Sequence, residues 1–470
     1  MLHTLLRRGL RRGLPAVLLL LATPLAAWAA EEGPAIDTGD TTWVLVSAAL
    51  VMLMTPGLAL FYGGMVSRKN VLNTVMLSFI ALCVISVQWV LWGYSLAFGP
   101  DVGHIIGSLD WLGLQGVGQA PSDTYATTVP HQAFMAFQMM FAILTPALIT
   151  GALAERMRFS AFLLFLVLWA TFVYDPLCHW VWAADGWLCN LGALDFAGGT
   201  VVHIASGVAG LVTALVLGKR KGYGKRPMPP HNLPLTVLGA ALLWFGWFGF
   251  NAGSAVAANG LAASAFVVTN TAAAAAALGW VVTEWLRQGK PTVLGAASGC
   301  VAGLVAITPA AGFVSVVPAV IIGLAAGVLC YLAVSVLKRA LGYDDALDAF
   351  GIHGIGGTLG ALATGVFAVK AVNELGSGLL DGNPGQLVTQ LIAVVASWAF
   401  VALATFVILK IVGLIVPLRV SEEDEETGLD VTQHGESGYS DDFALGSALA
   451  AGAVKASAAV TSGASVPQKA

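Results

Sequence analysis

Eleven apolar stretches, each near the length needed to cross about 30 Å of hydrocarbon, occupy most of this 470-residue chain. They lie near 41–63, 71–98, 130–152, 159–180, 196–217, 234–252, 261–285, 292–311, 314–338, 349–369 and 386–416. Backbone N–H and C=O groups find no water at that depth, so each stretch is expected to be a helix. The composition agrees. Hydrophobic residues make up 57% and charged ones 10%, a balance with which no soluble domain of this size could cover its surface. The chain reads as an all-α polytopic membrane protein.

Basic residues set the expected orientation. Arg68 and Lys69 follow the first stretch, Arg156 and Arg158 the third, and Lys219, Arg220, Lys221, Lys225 and Arg226 the fifth. Arg287 and Lys290 follow the seventh, and Lys338 and Arg339 the ninth, whereas the alternate loops hold only Lys370. The positive-inside rule then puts the N-terminus outside and the C-terminus in the cytoplasm. Residues 1–29 carry the marks of a secretory signal: Arg7, Arg8, Arg11 and Arg12, a short apolar core from Ala16 to Ala26, and Ala27-Trp28-Ala29 as cleavage positions. A bacterial inner membrane is the expected location. Cys178 and Cys189 flank an outward loop where a disulfide is chemically permitted, but sequence does not fix their geometry.

One motif occurs twice. Asp195-Phe-Ala-Gly-Gly-Thr-Val-Val-His203 begins the fifth stretch, and Asp345-Ala-Leu-Asp-Ala-Phe-Gly-Ile-His353 begins the tenth. Gly207 and Gly210 follow one histidine at the offsets at which Gly357 and Gly360 follow the other. Five stretches precede the loop at 219–233 and five follow it. The odd number makes the halves two inverted five-helix repeats plus one extra helix, with each repeat bringing its histidine toward the midplane. An ionisable ring in hydrocarbon is a functional candidate by default. The alternative is two unrelated histidines, each satisfied by a backbone carbonyl. Asp195 has two open readings, a helix cap and a carboxylate that attracts a cation. No intramembrane carboxylate is expected along the path itself.

After Pro417 the composition turns polar: Ser421-Glu-Glu-Asp-Glu-Glu-Thr-Gly-Leu-Asp430, then His434-Gly-Glu436. The expected division is a membrane domain over 41–416, a cytoplasmic regulatory tail over 417–444, and an unstructured low-complexity end over 445–470. The aqueous loops hold no nucleotide-binding glycine loop, metal cluster or nucleophile–base constellation. An enzyme, a cofactor and a nucleic-acid partner are therefore not expected.

Several long segments resemble the ammonium transporter (Amt/MEP/Rh) family, bacterial type. They are Gly-Ala-Leu-Ala-Glu-Arg-Met at 151–157, Asp-Phe-Ala-Gly-Gly-Thr-Val-Val-His at 195–203, Gly-Trp-Phe-Gly-Phe-Asn-Ala-Gly-Ser at 246–254, and Phe-Gly-Ile-His-Gly at 350–354. Gly428-Leu-Asp430 and His434-Gly-Glu436 match the family's bacterial tail. The resemblance implies a homotrimer with a pore in each subunit, His203 and His353 as its paired pore histidines, and Phe141 and Phe250 as stacked gating rings. It also implies an outer recruitment site of Trp182, Ser254 and Phe141, though Trp180, Trp182 and Trp187 crowd one loop where the register could slip.

Aromatic faces attract a cation by about 0.5–2 kcal/mol, and a serine hydroxyl accepts an N–H bond that potassium cannot offer. Without a carbonyl filter to replace a hydration shell, the economical route is deprotonation, passage of ammonia, and reprotonation. Burial disfavours imidazolium, so a neutral histidine pair sharing one N–H···N bond is expected. The implied partners are ammonium, membrane lipid, and a trimeric PII-type signalling protein whose three-fold match to the channel gives avidity. The basic loop and acidic tail would supply complementary charge for it. The competing readings are a sensor signalling through its tail and a channel for another small neutral solute such as carbon dioxide.

Overall fold

The computed structural model describes residues 36–439. The expected signal at 1–29 and the low-complexity end at 445–470 lie outside the described residues. Among the described residues, ten helices are long and apolar enough to cross a membrane. They are α1 (Thr38–Met65), α2 (Arg68–Phe98), α3 (His131–Leu153), α4 (Phe159–Asn190), α5 (Gly199–Leu217), α6 (Leu233–Ala255), α7 (Gly260–Gln288), α9 (Val316–Leu341), α10 (Phe350–Phe367) and α11 (Pro384–Ile415). The remaining apolar stretch is a shorter helix, α8 (Val293–Ile307), about 22 Å long at 1.5 Å per residue. Turns over 308–313 follow it. The fourth stretch runs beyond its expected end near 180, bending through Ala183 to Gly186 before it resumes at Trp187–Asn190.

Local chemistry sets many helix starts. Asp37, Asn232, Asn259 and Thr292 each accept a backbone N–H of the first turn of α1, α6, α7 and α8, which supplies an orphan donor with a partner. The loop between α2 and α3 carries two small hairpins, β1 (Asp101–Val102) with β2 (Ile106–Gly107) and β3 (Pro121–Ser122) with β4 (Ala126–Pro130). Both Cys178 and Cys189 are free thiols, and Cys178 is wholly buried within α4, so the permitted disulfide is not formed.

The tail is folded back on the bundle. Helix α12 (Glu422–Thr427) begins at a Ser421/Asp424 capping box, and α13 (Leu429–His434) follows it after Gly428. Asp430 accepts the Asn73 N–H at 2.8 Å, the Leu429 N–H reaches Asn70, and Lys69 donates to the Glu425 and Glu426 carbonyls. Lys221 pairs with Glu422 at 3.2 Å and Glu426 at 2.9 Å. The basic loop and acidic tail, expected to offer their charge to a partner, thus satisfy part of it on each other.

Beneath this contact lies a buried ion cluster. Arg220 reaches Glu155 at 2.6 Å and Asp344 at 2.9 Å. Burial by itself would raise both carboxyls, but Arg220 outweighs it and holds Glu155 and Asp344 below the usual carboxylate range. Carboxyls depressed on folding contribute stability that is complete above their unfolded pKa of about 4 and is lost as pH falls through the folded value. Detergent-solubilised protein should therefore melt at progressively lower temperature below about pH 4. Arg220→Gln should cost about 3–5 kcal/mol at neutral pH by stranding two buried charges, read as a lower melting temperature.

Candidate functional site

The site is built where α5 and α10 cross. Each helix opens on an aspartate that caps it. Asp195 accepts backbone N–H bonds from Gly198, Gly199, Thr200 and Val201 at 2.6–3.2 Å. Asp345 accepts from Ala349 at 3.1 Å and Phe350 at 2.8 Å. Burial raises both carboxyls, Asp345 to about 6, while the backbone bonds pull the other way. For Asp195 both oxygens face only donors, which the carboxylate uses fully and an acid O–H would not. Of its two readings the structure displays the cap.

Above each cap the helix begins with a π-helical turn, Gly199–Ile204 in α5 and Phe350–Gly354 in α10. His203 and His353 sit in these turns, both buried, with their Nδ1 atoms 3.3 Å apart. One ring donates and the other accepts, so the pair holds a single shared proton in that bond. The Nε2 of His203 is buried without a protein partner.

The repeated glycines make the meeting possible. A Cβ on Gly207 would stand 2.9 Å from the His353 carbonyl carbon and collide with the backbone of Gly354. A Cβ on Gly357 would stand 2.9 Å from the Gly199 oxygen and 3.0 Å from the His203 Cβ. Each glycine thus clears room for the opposite histidine's turn, as small residues do where helices approach closely in lipid.

Aromatic rings stack on the pair. Trp247 and Phe250 lie 5.4 and 5.9 Å from the His203 ring. Phe250 meets Phe141 at 4.3 Å with the rings tilted 31°. Both phenylalanines are fully buried, so no open passage separates them. Phe250 also belongs to a π-turn, Phe248–Ala252. Trp182 then stands edge-on to Phe141 at 5.8 Å, its indole N–H donating to the Asp195 carbonyl. Trp180 points elsewhere, against Phe400 and Trp187. Ser254 donates to the Phe250 carbonyl at 2.8 Å, which leaves its oxygen free to accept. Six side chains singled out from the sequence thus form one line: Trp182, Phe141, Phe250, His203 and His353 in order, with Ser254 one turn beyond Phe250.

A carboxylate that the sequence reading did not single out lies within a span, off this line. Asp175 lies mid-way along α4, fully buried, its Oδ2 accepting from Gln88 at 2.7 Å. The polar residue inside an apolar stretch of α4 was the available signal. Among the described residues, no group of three or more His, Cys, Asp or Glu side chains could hold a metal ion.

Residues 42–439 match the model of the Ammonium Transporter Family. An ammonium transporter of Bacillus subtilis is 59% identical over 407 residues, covering 86% of this chain and all of the relative. The crystal structure of Saccharomyces cerevisiae Mep2 superposes with a TM-score of 0.77 at 40% identity, over 83% of this chain and 88% of that one. A structure described as a sensor Amt protein superposes with a TM-score of 0.78 at 29% identity, over 84% of this chain and 98% of that one.

The cap on α5 gives a test independent of any activity. Asp195→Ala leaves four buried N–H groups without their acceptor and should cost at least about 3 kcal/mol, seen as a fall in melting temperature. Asp195→Asn, which keeps one carbonyl oxygen, should fall between that variant and the parent.

Proposed function

This chain belongs to the ammonium transporter family, and on that premise we propose how a multi-pass membrane protein of this build moves ammonium. The cation is drawn to the Trp182 and Phe141 rings by their negative faces, and the Ser254 oxygen accepts one of its N–H bonds. The single observation that carries the reading is the unbroken line from that aromatic pocket through the Phe141–Phe250 stack to the His203–His353 pair.

No ring or carbonyl along the line can replace a cation's full hydration shell, whereas neutral ammonia loses little on entering. Ammonium therefore gives up a proton at the stacked phenylalanines. Ammonia then passes as the rings part, hydrogen-bonds to the paired imidazoles, and is reprotonated on the far side. The shared N–H···N bond fixes one tautomer on each ring, leaving one outer nitrogen to donate and one to accept. Trp182 and Ser254 face outside in this scheme, and the basic loops and folded tail face the cytoplasm.

Labelled methylammonium uptake into proteoliposomes, measured together with current, tests the scheme. His203→Ala or His353→Ala should lower selective flux at least about tenfold, the low end for a positioned proton-handling group, or admit potassium. Parental rate and parental ammonium/potassium selectivity in both variants would remove the pair from the mechanism.

We further propose that the subunit works as a homotrimer and that the folded tail couples its pores and helps seat a trimeric PII-type protein. The bonds of Lys69, Asn70, Asn73 and Lys221 to the tail support coupling, since they tie it to the ends of α2 and to the loop after α5. Deleting Ser421 to Ala470 should lower transport or cooperativity, whereas deleting Leu445 to Ala470 should change little. Full transport with intact PII inhibition after the longer deletion would exclude both roles for the tail.

A further inference from the structure

Among the described residues, Asp175 is the one fully buried carboxylate inside a membrane-spanning helix that the transport scheme leaves idle. It lies seven residues below Trp182 on α4, about 10 Å at the helical rise. Its hydrogen-bond donor is the Gln88 amide of α2, and among the described residues no ion pair reaches it. Three atoms here are buried and unpartnered: Asp175 Oδ1, Gln88 Oε1 and the hydroxyl of the adjoining Tyr174.

The backbone marks the same place. Among the described residues, three π-turns hold His203, Phe250 and His353. Two others bracket this cluster: Trp89–Gly93 begins one residue after Gln88, and Ala170–Tyr174 ends one residue before Asp175. Trp92 ties the two turns together by donating to Thr171 at 3.0 Å. Such turns concentrate at functional sites. Tyr174 lies beside Thr145 of α3, whose hydroxyl donates to the Phe141 carbonyl at 2.7 Å. The cluster is therefore linked to the Phe141 backbone through Tyr174 and Thr145.

An ionised carboxylate with one amide donor and no cation is very costly in such surroundings, whereas the neutral acid is not. The acid also supplies the missing donor. Its O–H directed at Gln88 Oε1 closes a reciprocal acid–amide pair and satisfies two of the three unpartnered atoms.

We propose that Asp175 and Gln88 form a proton-holding pair behind the stacked phenylalanines, which passes on the proton that ammonium gives up while ammonia follows the histidines. This rests on the deprotonation reading above. In each turn the Asp175 O–H bond breaks and its proton passes to a water molecule on the cytoplasmic side, leaving a short-lived carboxylate. An N–H bond of ammonium then breaks and its proton re-forms the O–H, leaving ammonia, so one proton enters for each that leaves. The titratable groups around the pair are Tyr174 and Cys178 on its own helix, Tyr94 of α2, and Asp195 before α5. His179 and His131 lie further out, bound to Asp101 and Tyr94.

The full chain is tested by infrared spectroscopy and, in proteoliposomes, by paired uptake and current. The parent should show a buried carboxylic-acid C=O band at neutral pH that Asp175→Asn abolishes and Gln88→Met shifts. Asp175→Asn should lower current per substrate at least about tenfold, the low end for a positioned proton-transfer group, the proton of any methylammonium still taken up returning to outer water. Unchanged current per substrate, or equal loss of uptake and current, overturns the relay. If Asp175→Asn does not fold, absence of the band from the parent, or an unshifted band in Gln88→Met, overturns the pair and leaves the deprotonation reading standing. Passage of tetramethylammonium, which has no proton to give, through the parent overturns that reading and the relay together without touching the band.

Discussion

Everything at the centre of this molecule depends on how closely α5 and α10 can cross. Two polar rings inside an apolar bundle are tolerable only if they satisfy each other, and a 3.3 Å N···N bond demands near-contact of the two backbones. Gly207 and Gly357 permit it, each placed four residues after its own histidine and packed against the other one's turn. The inverted repeat makes this economical. One short pattern, used twice in opposite directions, supplies both the ring and the gap its partner needs.

Holding that crossing in register falls to polar groups at the helix ends. Asp195 gathers four N–H donors and Asp345 two, so each helix starts at a fixed residue despite the low barrier to sliding between smooth apolar surfaces. The π-turns that follow widen the helices just where His203, Phe250 and His353 must face inward. A regular helix would carry those side chains about 100° per residue around its axis, and one extra residue in a turn re-aims them without breaking the span.

The opposite end of the bundle is held by charge. Arg220 joins the ends of α3 and α10 through Glu155 and Asp344, and the tail closes over this cluster through Lys69, Lys221, Asn70 and Asn73. Because Asp344 adjoins the cap residue Asp345, the loop after α5 is two side chains away from the α10 histidine turn, and the tail touches that loop at Lys221.

Much of this was legible in the chain itself. Length and apolarity in water-free surroundings leave a helix as the only choice for each stretch, so the spans are set to within a few residues by composition. The duplicated Asp195–His203 and Asp345–His353 motifs announced both an inverted repeat and its centre. What sequence could not decide is whatever depends on rotation about a helix axis or on contact between distant segments. Trp180 and Trp182 are equivalent in composition, and only packing turns one toward Phe400 and the other toward Phe141. Cys178 and Cys189 flank a loop where a disulfide is chemically permitted, yet both are free thiols and Cys178 is wholly buried. An acidic tail reads as solvated until its partners, some 200 to 360 residues earlier, come to lie beneath it. Asp175 escaped notice because a lone polar residue in an apolar run gains meaning only from what faces it, and Gln88 stands 87 residues away. Hydrophobicity is a local property summed along the chain, whereas hydrogen-bond partners are assigned only when the helices are packed.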